Sequence, residues 1–499
     1  MARSSLALYG GSLSLLTDLY ELTMAYGYWK NGMQDWEAAF HVTFRKNPFG
    51  GSYALACGLH SVIEYLEQFE FRRDDLDYLA TLQGNDGKPL FSEEFLHYLS
   101  GCRLTCDVDA VPEGTVVVAN EPLIRVCGPL PQAQLLETAL LTLLNFQTLI
   151  ATKAARVCQA AAGDPVLEFG LRRAQGIDGG VTEARAAYVG GCFGTSNVLA
   201  GKLFGIPVRG TVAHSWIMAF DDEREAFEKY ARAVPNNVIL LVDTYDSLVG
   251  VKHAIEVGRM IESMGFRLAG IRLDSGDLLT LSRKARQLLD EAGFQHTAIV
   301  GSSELDEYVI SDLKRKGAPI NVWGVGTKLA VSYDQPALGG VYKLAAVRKP
   351  GGEWEPRIKL SEEAIKISHP GRMQVRRFAL NNTFAFDVLY DVDEGEPTRP
   401  FVDYHHPGIT IDPGDAHPVE DLLVPIFRAG KRVYDPPPLA QVRERAQQQL
   451  HSLPENTRRL HVPEPYRLAV SSRMQQVKEA QIRLQRQRVQ AARERYGLS

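Results

Sequence analysis

Four short apolar runs between Val238 and Thr327 dominate the hydrophobic pattern in the second half of the chain. They lead into Asp243, Asp274, Gly301 and Gly326, and their ends are 31, 27 and 25 residues apart, the length of a strand–helix–strand unit. Near-continuous apolar runs are typical of buried parallel strands, and ligands bind where such strands end. The pattern therefore predicts an active site at these ends before any chemistry is assigned.

Helical spacing between the runs indicates that helices cover the predicted sheet. Apolar residues recur at helical spacing over 251–261 and 281–292, each time with a glycine just past the end. Two earlier runs, 166–169 and 207–211, extend the series to at least six strands. An irregular α/β barrel is therefore favoured over an open doubly wound sheet.

The remaining segments predict further parts around this barrel. Residues 1–134 mix helical and strand-like patterns and predict an α+β N-terminal domain, which 346–430 join by folding back. Residues 135–345 are the predicted barrel and catalytic domain. Residues 440–499 predict a basic helical tail, with 12 Lys or Arg against 5 Asp or Glu and helical spacing from Ser471. A solvated helix packed on a subunit surface is favoured there over an RNA-binding arm, because aromatic residues are sparse.

Composition and charge narrow the class of protein. The 499 residues carry a net charge of −5, so nothing global indicates nucleic acid or an anionic membrane as a partner. Six scattered cysteines form no zinc pattern, which favours reduced thiols and a cytoplasmic location. The N-terminus makes a poor signal peptide, because Asp18 and Glu21 follow its weak apolar stretch. Residues 135–150 predict a core helix, too short and too polar to span a bilayer.

Two groups of candidate functional residues flank the earlier strands. Phe169 and Arg172 offer a stacking ring and a guanidinium suited to carboxylate or phosphate, although a core phenylalanine beside solvated arginines is the commoner arrangement. His214 follows Thr211 at a predicted strand end. An imidazole there either accepts a phosphoryl group or simply packs, and the pattern does not decide between these.

A third group follows the strand at 268–274. Arg272 is suited to an anionic substituent on a ring, and Asp274 and Asp277 to ribose hydroxyls or magnesium. As a structural alternative, Asp274 or Ser275 begins the next helix as its N-cap.

Two glycine-rich turns on neighbouring strand ends predict phosphate binding. One contains Gly301, and the other contains Gly324, Gly326 and Thr327. Glycine lets backbone N–H groups approach phosphate oxygens, and adjacent turns of this kind resemble the phosphate site of barrel enzymes. The sequence contains neither a Walker P-loop nor the Rossmann glycine fingerprint.

Taken together, these motifs resemble the nicotinate phosphoribosyltransferase family over residues 16–371. The matching motifs are, in chain order, Thr-Asp-Leu-Tyr, Phe-Gly-Leu-Arg-Arg, Gly-Thr-x-x-His-Ser, Arg-Leu-Asp-Ser-Gly-Asp and Gly-Val-Gly-Thr. The resemblance implies an enzyme that joins nicotinate to phosphoribosyl pyrophosphate, giving nicotinate mononucleotide and pyrophosphate, as the first step of NAD synthesis from nicotinate. It also implies ATP as co-substrate, Mg²⁺ as cofactor and a homodimer with shared active sites, without a nucleic-acid or membrane partner.

The resemblance further assigns roles to single residues. It implies that ATP phosphorylates His214 and that Phe169 and Tyr20 sandwich the pyridine ring, with Tyr20 supplied by the other subunit. Arg172 would face the pyrophosphate or the ring.

The remaining implied contacts concern the two ends of the substrates. Arg272 and Thr211 would bind the nicotinate end, and Asp274 the ribose. The implied phosphate loops contain Gly301, Gly324, Gly326 and Thr327.

Ser196 separates this chain from close relatives. Enzymes that use nicotinamide carry Gly-Thr-Asp where this chain has Gly-Thr-Ser, and an aspartate would accept from a carboxamide but repel a carboxylate. Nicotinate is therefore favoured over nicotinamide. The alternatives are a nicotinamide or a quinolinate phosphoribosyltransferase, the latter disfavoured by His214, and a non-catalytic phosphosugar-binding or RNA-binding protein.

Overall fold

The computed structural model describes residues 12–360 and 368–498. The chain divides into two compact units. Unit 1 is Ile150–Pro336, and unit 2 contains the described residues on either side of it. Most of the N-terminal segment judged for a signal peptide, and residues 361–367 of the stretch that resembles the family, lie outside the described residues. The finer boundaries predicted at 134, 345, 430 and 440 stay predictions.

Helices and strands are numbered separately along the chain. The helices are α1 (Leu19–Lys30), α2 (Leu59–Glu67), α3 (Arg73–Leu79), α4 (Glu93–Ser100), α5 (Leu130–Gln134), α6 (Glu137–Ala161), α7 (Gly176–Val189), α8 (Val198–Phe204), α9 (His214–Met218), α10 (Glu223–Ala233), α11 (Ser247–Ser263), α12 (Leu278–Glu291), α13 (Glu307–Arg315), α14 (Thr327–Ala330), α15 (Leu439–Ser452), α16 (Glu455–Arg458) and α17 (Ser472–Arg495).

The strands are β1 (Glu37–Phe44), β2 (Ala54–Leu55), β3 (Asp107–Ala110), β4 (Val116–Val117), β5 (Ile124–Pro129), β6 (Val166–Glu168), β7 (Gly194–Thr195), β8 (Ile239–Leu241), β9 (Gly270–Leu273), β10 (Ala298–Gly301), β11 (Val322–Val325), β12 (Gly340–Arg348), β13 (Trp354–Pro356), β14 (Met373–Leu380), β15 (Thr383–Asp391), β16 (Phe401–Asp403), β17 (Thr410–Ile411), β18 (His417–Asp421), β19 (Val424–Arg428), β20 (Lys431–Arg432) and β21 (Leu468–Val470).

Unit 1 is built on a parallel sheet whose strand order is that of an irregular barrel. Its six strands run β7-β6-β11-β10-β9-β8. β6, the first strand of the unit, pairs with both β7 and the last strand, β11, as barrel closure requires. Among the described residues, the two edge strands β7 and β8 are not paired with each other. A single bridge joins Thr195 of β7 to Val208, which lies in the segment between them along the chain. The predicted α/β fold is therefore confirmed.

Most of the predicted barrel strands are present. The four runs of the second half form β8 to β11, and residues 166–169 contain β6. The strand predicted at 207–211 is wrong, because only Val208 makes a bridge there. The paired strand beside β6 is instead β7, which is two residues long and too short to leave an apolar run.

Helices α11 and α12 confirm the two helices read from spacing. The apolar face of α11 is buried, and Gly265 after it has φ +84°, in the left-handed region that glycine tolerates. Gly293 after α12 has φ +93°. The residue that caps α12 is Asp277, so the alternative of Asp274 or Ser275 as the cap is wrong.

Unit 2 contains two larger sheets. One runs β13-β12-β1-β5-β3-β19-β20, and the other runs β17-β16-β21-β15-β14-β18. In the first sheet, β1 pairs with β12 and β3 with β19, so strands from before and after unit 1 are interleaved. Such pairing between distant segments makes one hydrophobic core from both ends of the chain.

The C-terminal segment is an integral part of unit 2. Ser471 caps α17 by accepting a hydrogen bond from the Met474 N–H at 3.1 Å, which confirms the helix predicted from Ser471 onward. β21 lies inside the six-stranded sheet, between β16 and β15. α15 packs so closely on Gly114 that a Cβ there would lie 2.5 Å from the Val442 carbonyl oxygen.

The core helix predicted at 135–150 is longer than expected, since α6 has 25 residues. By length and composition alone, the helical stretch Leu130–Ala161 would suffice to cross a membrane, so the expectation that it is too short is wrong. However, 61% of its most apolar window is buried inside the protein, as in a core helix. All six cysteines are free thiols.

Candidate active site

The carboxyl ends of three neighbouring strands, β8 to β10, bring polar side chains together. Asp243 follows β8, and its Oδ2 accepts hydrogen bonds from the Asp274 N–H at 2.8 Å and from the Ser275 hydroxyl at 2.7 Å. The Ser302 N–H, after β10, donates to the Leu273 carbonyl at 2.9 Å. Because parallel strands end at one edge of a sheet, residues about 30 positions apart become neighbours here.

Arg272 on β9 is the centre of this polar cluster. Its Nε donates to the Ser302 hydroxyl at 2.8 Å, Nη1 to Thr211 Oγ1 at 3.0 Å and Nη2 to Asp274 Oδ1 at 2.6 Å. The side chain is only 16% exposed, and its Cζ lies 5.7 Å from the centroid of the Phe169 ring. Three fixed partners hold the planar guanidinium in one orientation, which suits recognition of a carboxylate.

Asp274 is held in its ionised form by these partners. Burial acts to raise its pKa, but the hydrogen bond from the Ser302 hydroxyl at 2.5 Å and the charge and hydrogen bond of Arg272 bring the pKa below its usual value. The neighbouring His214 acts on this pKa in the same direction. Asp274 therefore presents a carboxylate throughout the neutral pH range.

His214 is the first residue of α9, on the chain segment between the Val208 bridge and β8. Its Nδ1 lies 3.1 Å from the Thr244 hydroxyl, and its Nε2 lies 3.7 Å from Asp274 Oδ2. The side chain is 41% exposed. One ring nitrogen is thus oriented by a hydroxyl, and the other faces a carboxylate with access from outside, which allows nucleophilic chemistry.

Phe169 lies against Gly324 on β11 and against Gly326, which directly follows that strand. Its N–H donates to the Val325 carbonyl at 2.8 Å. A Cβ on Gly324 would lie 2.8 Å from Cδ2 of the Phe169 ring, and one on Gly326 would lie 3.3 Å from its carbonyl oxygen. The structure thus provides a reason for glycine at 324 that the sequence did not reveal, namely the close approach of an aromatic ring.

Glu168, at the end of β6, is a site residue that the sequence analysis did not single out. Its buried carboxylate accepts hydrogen bonds from the Gly170 N–H and from the Thr195 hydroxyl, the latter at 2.5 Å. Its carbonyl accepts from the Ser196 N–H at 3.0 Å. The sequence did contain a signal for Glu168: it is an acidic residue at the end of an apolar run, and it directly precedes Phe169, the aromatic residue of the predicted ring site.

The other predicted phosphate-loop residues lie at strand ends of the same sheet. Gly301 ends β10, and a Cβ there would lie 3.0 Å from the Ile320 side chain. Thr327 is the first residue of the short helix α14. Gly301 and Gly324 therefore lie on the paired strands β10 and β11, as adjacent turns require.

Arg172 and Asp277 stand apart from the hydrogen-bonded cluster. Arg172 is exposed on the short 3-10 helix Leu171–Arg173. Asp277 caps α12: its Oδ1 accepts from the N–H groups of Leu279 and Thr280, and its Oδ2 accepts from the Thr280 hydroxyl at 2.6 Å. The cap thus uses both carboxylate oxygens of Asp277.

Tyr20 lies on α1 in unit 2, with 45% of its surface exposed. Burial, followed by the charges of Glu137 and Glu21, raises the pKa of Tyr20. The phenol is thus neutral at neutral pH, while the side chain remains accessible.

Two carboxylates of this site, those of Asp243 and Asp274, are the candidates for holding a metal ion. Within residues 12–360 and 368–498, no group of three or more His, Cys, Asp or Glu side chains is arranged around a common metal position. Oδ1 of Asp243 is buried and has no hydrogen-bond partner among the described residues. The backbone N–H of Asp274 donates to the other oxygen of Asp243, so the two aspartates are neighbours. These residues fit Mg²⁺, which prefers a few carboxylate oxygens together with water and substrate phosphate.

Comparisons with known proteins cover almost the whole chain. Family models match at residues 15–145 (nicotinate phosphoribosyltransferase N-terminal domain), 165–355 (nicotinate phosphoribosyltransferase family) and 373–478 (C-terminal domain). Nicotinate phosphoribosyltransferase of Bacillus subtilis is 42% identical over 488 residues, 95% of this chain and 97% of that protein. A nicotinate phosphoribosyltransferase of Mycobacterium tuberculosis is 43% identical over 463 residues, 92% of each chain. Human nicotinic acid phosphoribosyltransferase has a crystal structure with a TM-score of 0.81 and 33% identity, covering 93% of this chain and 99% of that chain.

Proposed function

This chain belongs to the nicotinate phosphoribosyltransferase family, enzymes of NAD synthesis from nicotinate, and on that premise we propose that it couples the transfer to ATP through a phosphohistidine at His214. The observation that carries the proposal is the placement of His214 between Thr244 and Asp274, with its side chain open to the outside. An imidazole buried for packing alone would need neither the hydroxyl nor the carboxylate.

The transfer needs positioning and charge stabilisation. A bond forms between the pyridine nitrogen of nicotinate and the anomeric carbon of the sugar, and the bond from that carbon to the pyrophosphate oxygen breaks. The transition state resembles an oxocarbenium ion and releases an anion, so no protein nucleophile is required at the sugar.

Arg272 and Phe169 are the proposed binding groups for nicotinate. A guanidinium has five N–H donors, and three of those of Arg272 serve Ser302, Thr211 and Asp274. Two donors therefore remain for the nicotinate carboxylate, beside the Phe169 ring on which the pyridine stacks. Thr211 orients the guanidinium as well as lying near the carboxylate.

For the ATP half of the reaction, we assign Nε2 of His214 as the phosphoryl acceptor. With the proton on Nδ1 donated to the Thr244 hydroxyl, Nε2 carries a lone pair that attacks the γ-phosphorus as ADP leaves. The phosphorylated ring adds roughly two negative charges beside Asp274, so phosphorylation alters the electrostatics of the transfer site.

Mg²⁺ is proposed as the cofactor, held by Asp243 and Asp274. When bound, it neutralises charge on the phosphate groups of the substrates. Arg172 and the turns with Gly301, Gly324, Gly326 and Thr327 are proposed to surround those phosphates, and Asp274 to contact the ribose. Asp277 caps α12, and we propose that it lies at the periphery of the ribose site.

The proposed assembly is a cytoplasmic homodimer that binds neither nucleic acid nor membrane. Its support is the aromatic ring of Tyr20, which is exposed and available to a second subunit. In this arrangement Tyr20 covers the pyridine face opposite Phe169, so that each site takes residues from both chains.

The experiment that tests the proposal measures nicotinate mononucleotide formation with nicotinate or nicotinamide, with and without ATP, together with labelling by γ-³²P-ATP. The expected result is product from nicotinate, more product with ATP, and acid-labile label on the protein. His214→Ala should lose the label and the ATP effect but keep slow transfer, while His296→Ala, at an exposed histidine, should retain both. Undiminished labelling of His214→Ala would contradict the assignment.

A further inference from the structure

An ion pair connects the two glycine-rich turns of unit 1. Lys328 Nζ lies 2.5 Å from Asp306 Oδ2, and the side chains are only 21% and 8% exposed. Lys328 is the second residue of α14 and directly follows Thr327 of one turn. Asp306 ends the segment that follows Gly301 of the other turn, and it directly precedes α13. Neither side chain is a proposed contact to substrate.

The carboxylate of Asp306 bonds to two different elements. Its Oδ1 accepts hydrogen bonds from the N–H groups of Tyr308 at 3.0 Å and Val309 at 2.8 Å, which makes Asp306 the N-cap of α13. Its Oδ2 accepts from Lys328. Burial acts to raise the pKa of Asp306, but the hydrogen bonds from Lys328 and Val309 bring it below its usual value. The bond to Asp306 also raises the pKa of Lys328, so both groups are charged at neutral pH.

The segment between β10 and α13 is held at both of its ends. At its start, the Ser302 hydroxyl accepts from Arg272 at 2.8 Å. In its middle, Ser303 has φ +117°, in the left-handed region that residues other than glycine rarely adopt. Such a backbone persists only where its surroundings impose it. At the far end, that restraint comes from Asp306, through its cap bonds and through Lys328.

The second turn depends on the same ion pair. The pairing of β10 with β11 ends at Gly301 and Trp323, before both turns. α14 has only four residues, too few to be stable through its own hydrogen bonds, so its direction depends on contacts outside it. Its Leu329 and Ala330 are buried, and Lys328 adds the bond to the neighbouring turn.

We propose that the ion pair between Lys328 and Asp306 is a positioning contact for phosphoribosyl pyrophosphate, which keeps the two turns at the separation that its phosphate groups require. The inference rests on the proposed placement of phosphate at these turns. Without the ion pair, α14 is free to shift relative to the segment before α13, and the backbone N–H groups of the two turns lose their fixed spacing. Nicotinate binding should change little, because Phe169 and Arg272 are held by other bonds.

Three substitutions separate the ion pair from the helix cap. Lys328→Met removes the charge and keeps an unbranched side chain. Asp306→Asn removes the acceptor of Lys328 but keeps an oxygen that caps α13, since Asn and Asp cap about equally well. In steady-state assays of the full-length enzyme, we expect the phosphoribosyl pyrophosphate KM of each to rise about 5- to 10-fold, the effect of one lost hydrogen bond between charged groups. The nicotinate KM should stay within about twofold of the wild type, and Lys328→Arg, which still donates to the carboxylate, should stay within about twofold for both substrates.

A control and a double variant distinguish positioning from a general loss of structure. Lys314 lies near the other end of α13 and forms a partly buried ion pair with Asp164 at 2.7 Å, so Lys314→Met should leave both KM values unchanged. The double variant of Lys328→Met and Asp306→Asn should show the effect of one substitution and not the product of two, because both remove the same contact.

Four results would each overturn the proposal. They are an unchanged phosphoribosyl pyrophosphate KM in the two single variants, an equal rise in both substrate KM values, multiplying effects in the double variant, and the same rise in Lys314→Met. If Lys328→Met does not fold, Asp306→Asn, with its cap retained, provides the measurement.

Thr327→Asp tests the phosphate placement separately. A negative charge at the start of α14 should raise the phosphoribosyl pyrophosphate KM if phosphate binds there. If that KM is unchanged, the proposed phosphate site fails, and the inference fails with it. If it rises while the variants of Lys328 and Asp306 behave like the wild type, the phosphate site stands and only the inference about the ion pair fails.

Discussion

Nε2 of His214 lies 3.7 Å from Oδ2 of Asp274, within ion-pair distance but beyond a hydrogen bond. The other oxygen of the same carboxylate accepts from Arg272 at 2.6 Å. One side chain therefore faces the proposed phosphoryl acceptor and also fixes the proposed nicotinate-binding guanidinium. The proposed ATP-dependent half of the reaction and the proposed transfer half therefore meet at Asp274.

Asp274→Asn should weaken both halves, because an amide is neutral and presents only one acceptor oxygen. We expect kcat with ATP to fall about 10- to 100-fold, the effect of losing a hydrogen bond to a charged group, and the stimulation by ATP to shrink. Asp290→Asn removes an exposed ion pair with Arg286 and serves as the matched control. If Asp274→Asn has the same kcat as the wild type and is stimulated by ATP to the same extent, this assignment is contradicted.

Gly324→Ala should move the Phe169 ring, because the new Cβ would lie 2.8 Å from ring Cδ2. We expect the nicotinate KM to rise more than the phosphoribosyl pyrophosphate KM in steady-state assays. Gly179→Ala is the control, since a Cβ at this helical position meets nothing within 4 Å. It should stabilise the protein by about 0.5–1 kcal/mol. A larger effect on phosphoribosyl pyrophosphate than on nicotinate would instead favour a phosphate-binding function for Gly324.

Ser196→Asp should shift base preference toward nicotinamide. The Ser196 N–H is fixed on the Glu168 carbonyl at 3.0 Å, so a new carboxylate would extend from a defined point at the end of β7. We expect the ratio of kcat/KM for nicotinate over nicotinamide to fall at least about tenfold, since a nearby like charge costs more than 1.4 kcal/mol. Ser196→Ala controls for loss of the hydroxyl, and an unchanged ratio in Ser196→Asp would place the ring contact elsewhere.

Mixed dimers should reveal whether the active site is shared. Tyr20→Ala and His214→Ala subunits are each expected to form impaired homodimers. Mixing them with exchange creates heterodimers in which one site combines an intact Tyr20 with an intact His214, so ATP-stimulated activity should reappear. No recovery, despite exchange confirmed by mass measurement, would show that each site takes both residues from one chain.

Lys478→Met should stabilise unit 2 at neutral pH. Lys478 on α17 donates to His369 Nε2 at 3.3 Å, and burial lowers its pKa from 10.5 to about 8, while burial and Lys478 hold the pKa of His369 well below its usual value. Below pH 8 the lysine is charged in the folded and in the unfolded protein, so the folded state carries the full cost of the buried charge, roughly 3 kcal/mol. As the pH rises from 8 to 10.5 the penalty disappears. Chemical unfolding of Lys478→Met and of the wild type should show that the variant's gain in free energy of unfolding decreases as the pH rises across this range. A gain that does not change with pH would contradict the prediction.

Local patterns in the chain predict much of the barrel. Apolar runs and helical spacing depend on neighbouring residues only, and for that reason β8 to β11, α11 and α12 were readable. The same patterns missed β7, because a strand of two residues leaves no periodicity. Motifs carried by single loops, such as the residues around Phe169, His214 and Arg272, were likewise visible without coordinates.

Contacts between residues that are far apart in the chain could be seen only in the tertiary structure. Arg272 meets Thr211 from 61 positions away, and His214 meets Thr244 from 30. The closure of β6 on β11, and the insertion of β21 into a sheet of unit 2, are equally non-local. In the sequence, Glu168 and Glu183 look like two ordinary acidic residues. Burial in the fold raises the pKa of each carboxyl group, because the cost of charging it depends on the surrounding packing and not on the local sequence.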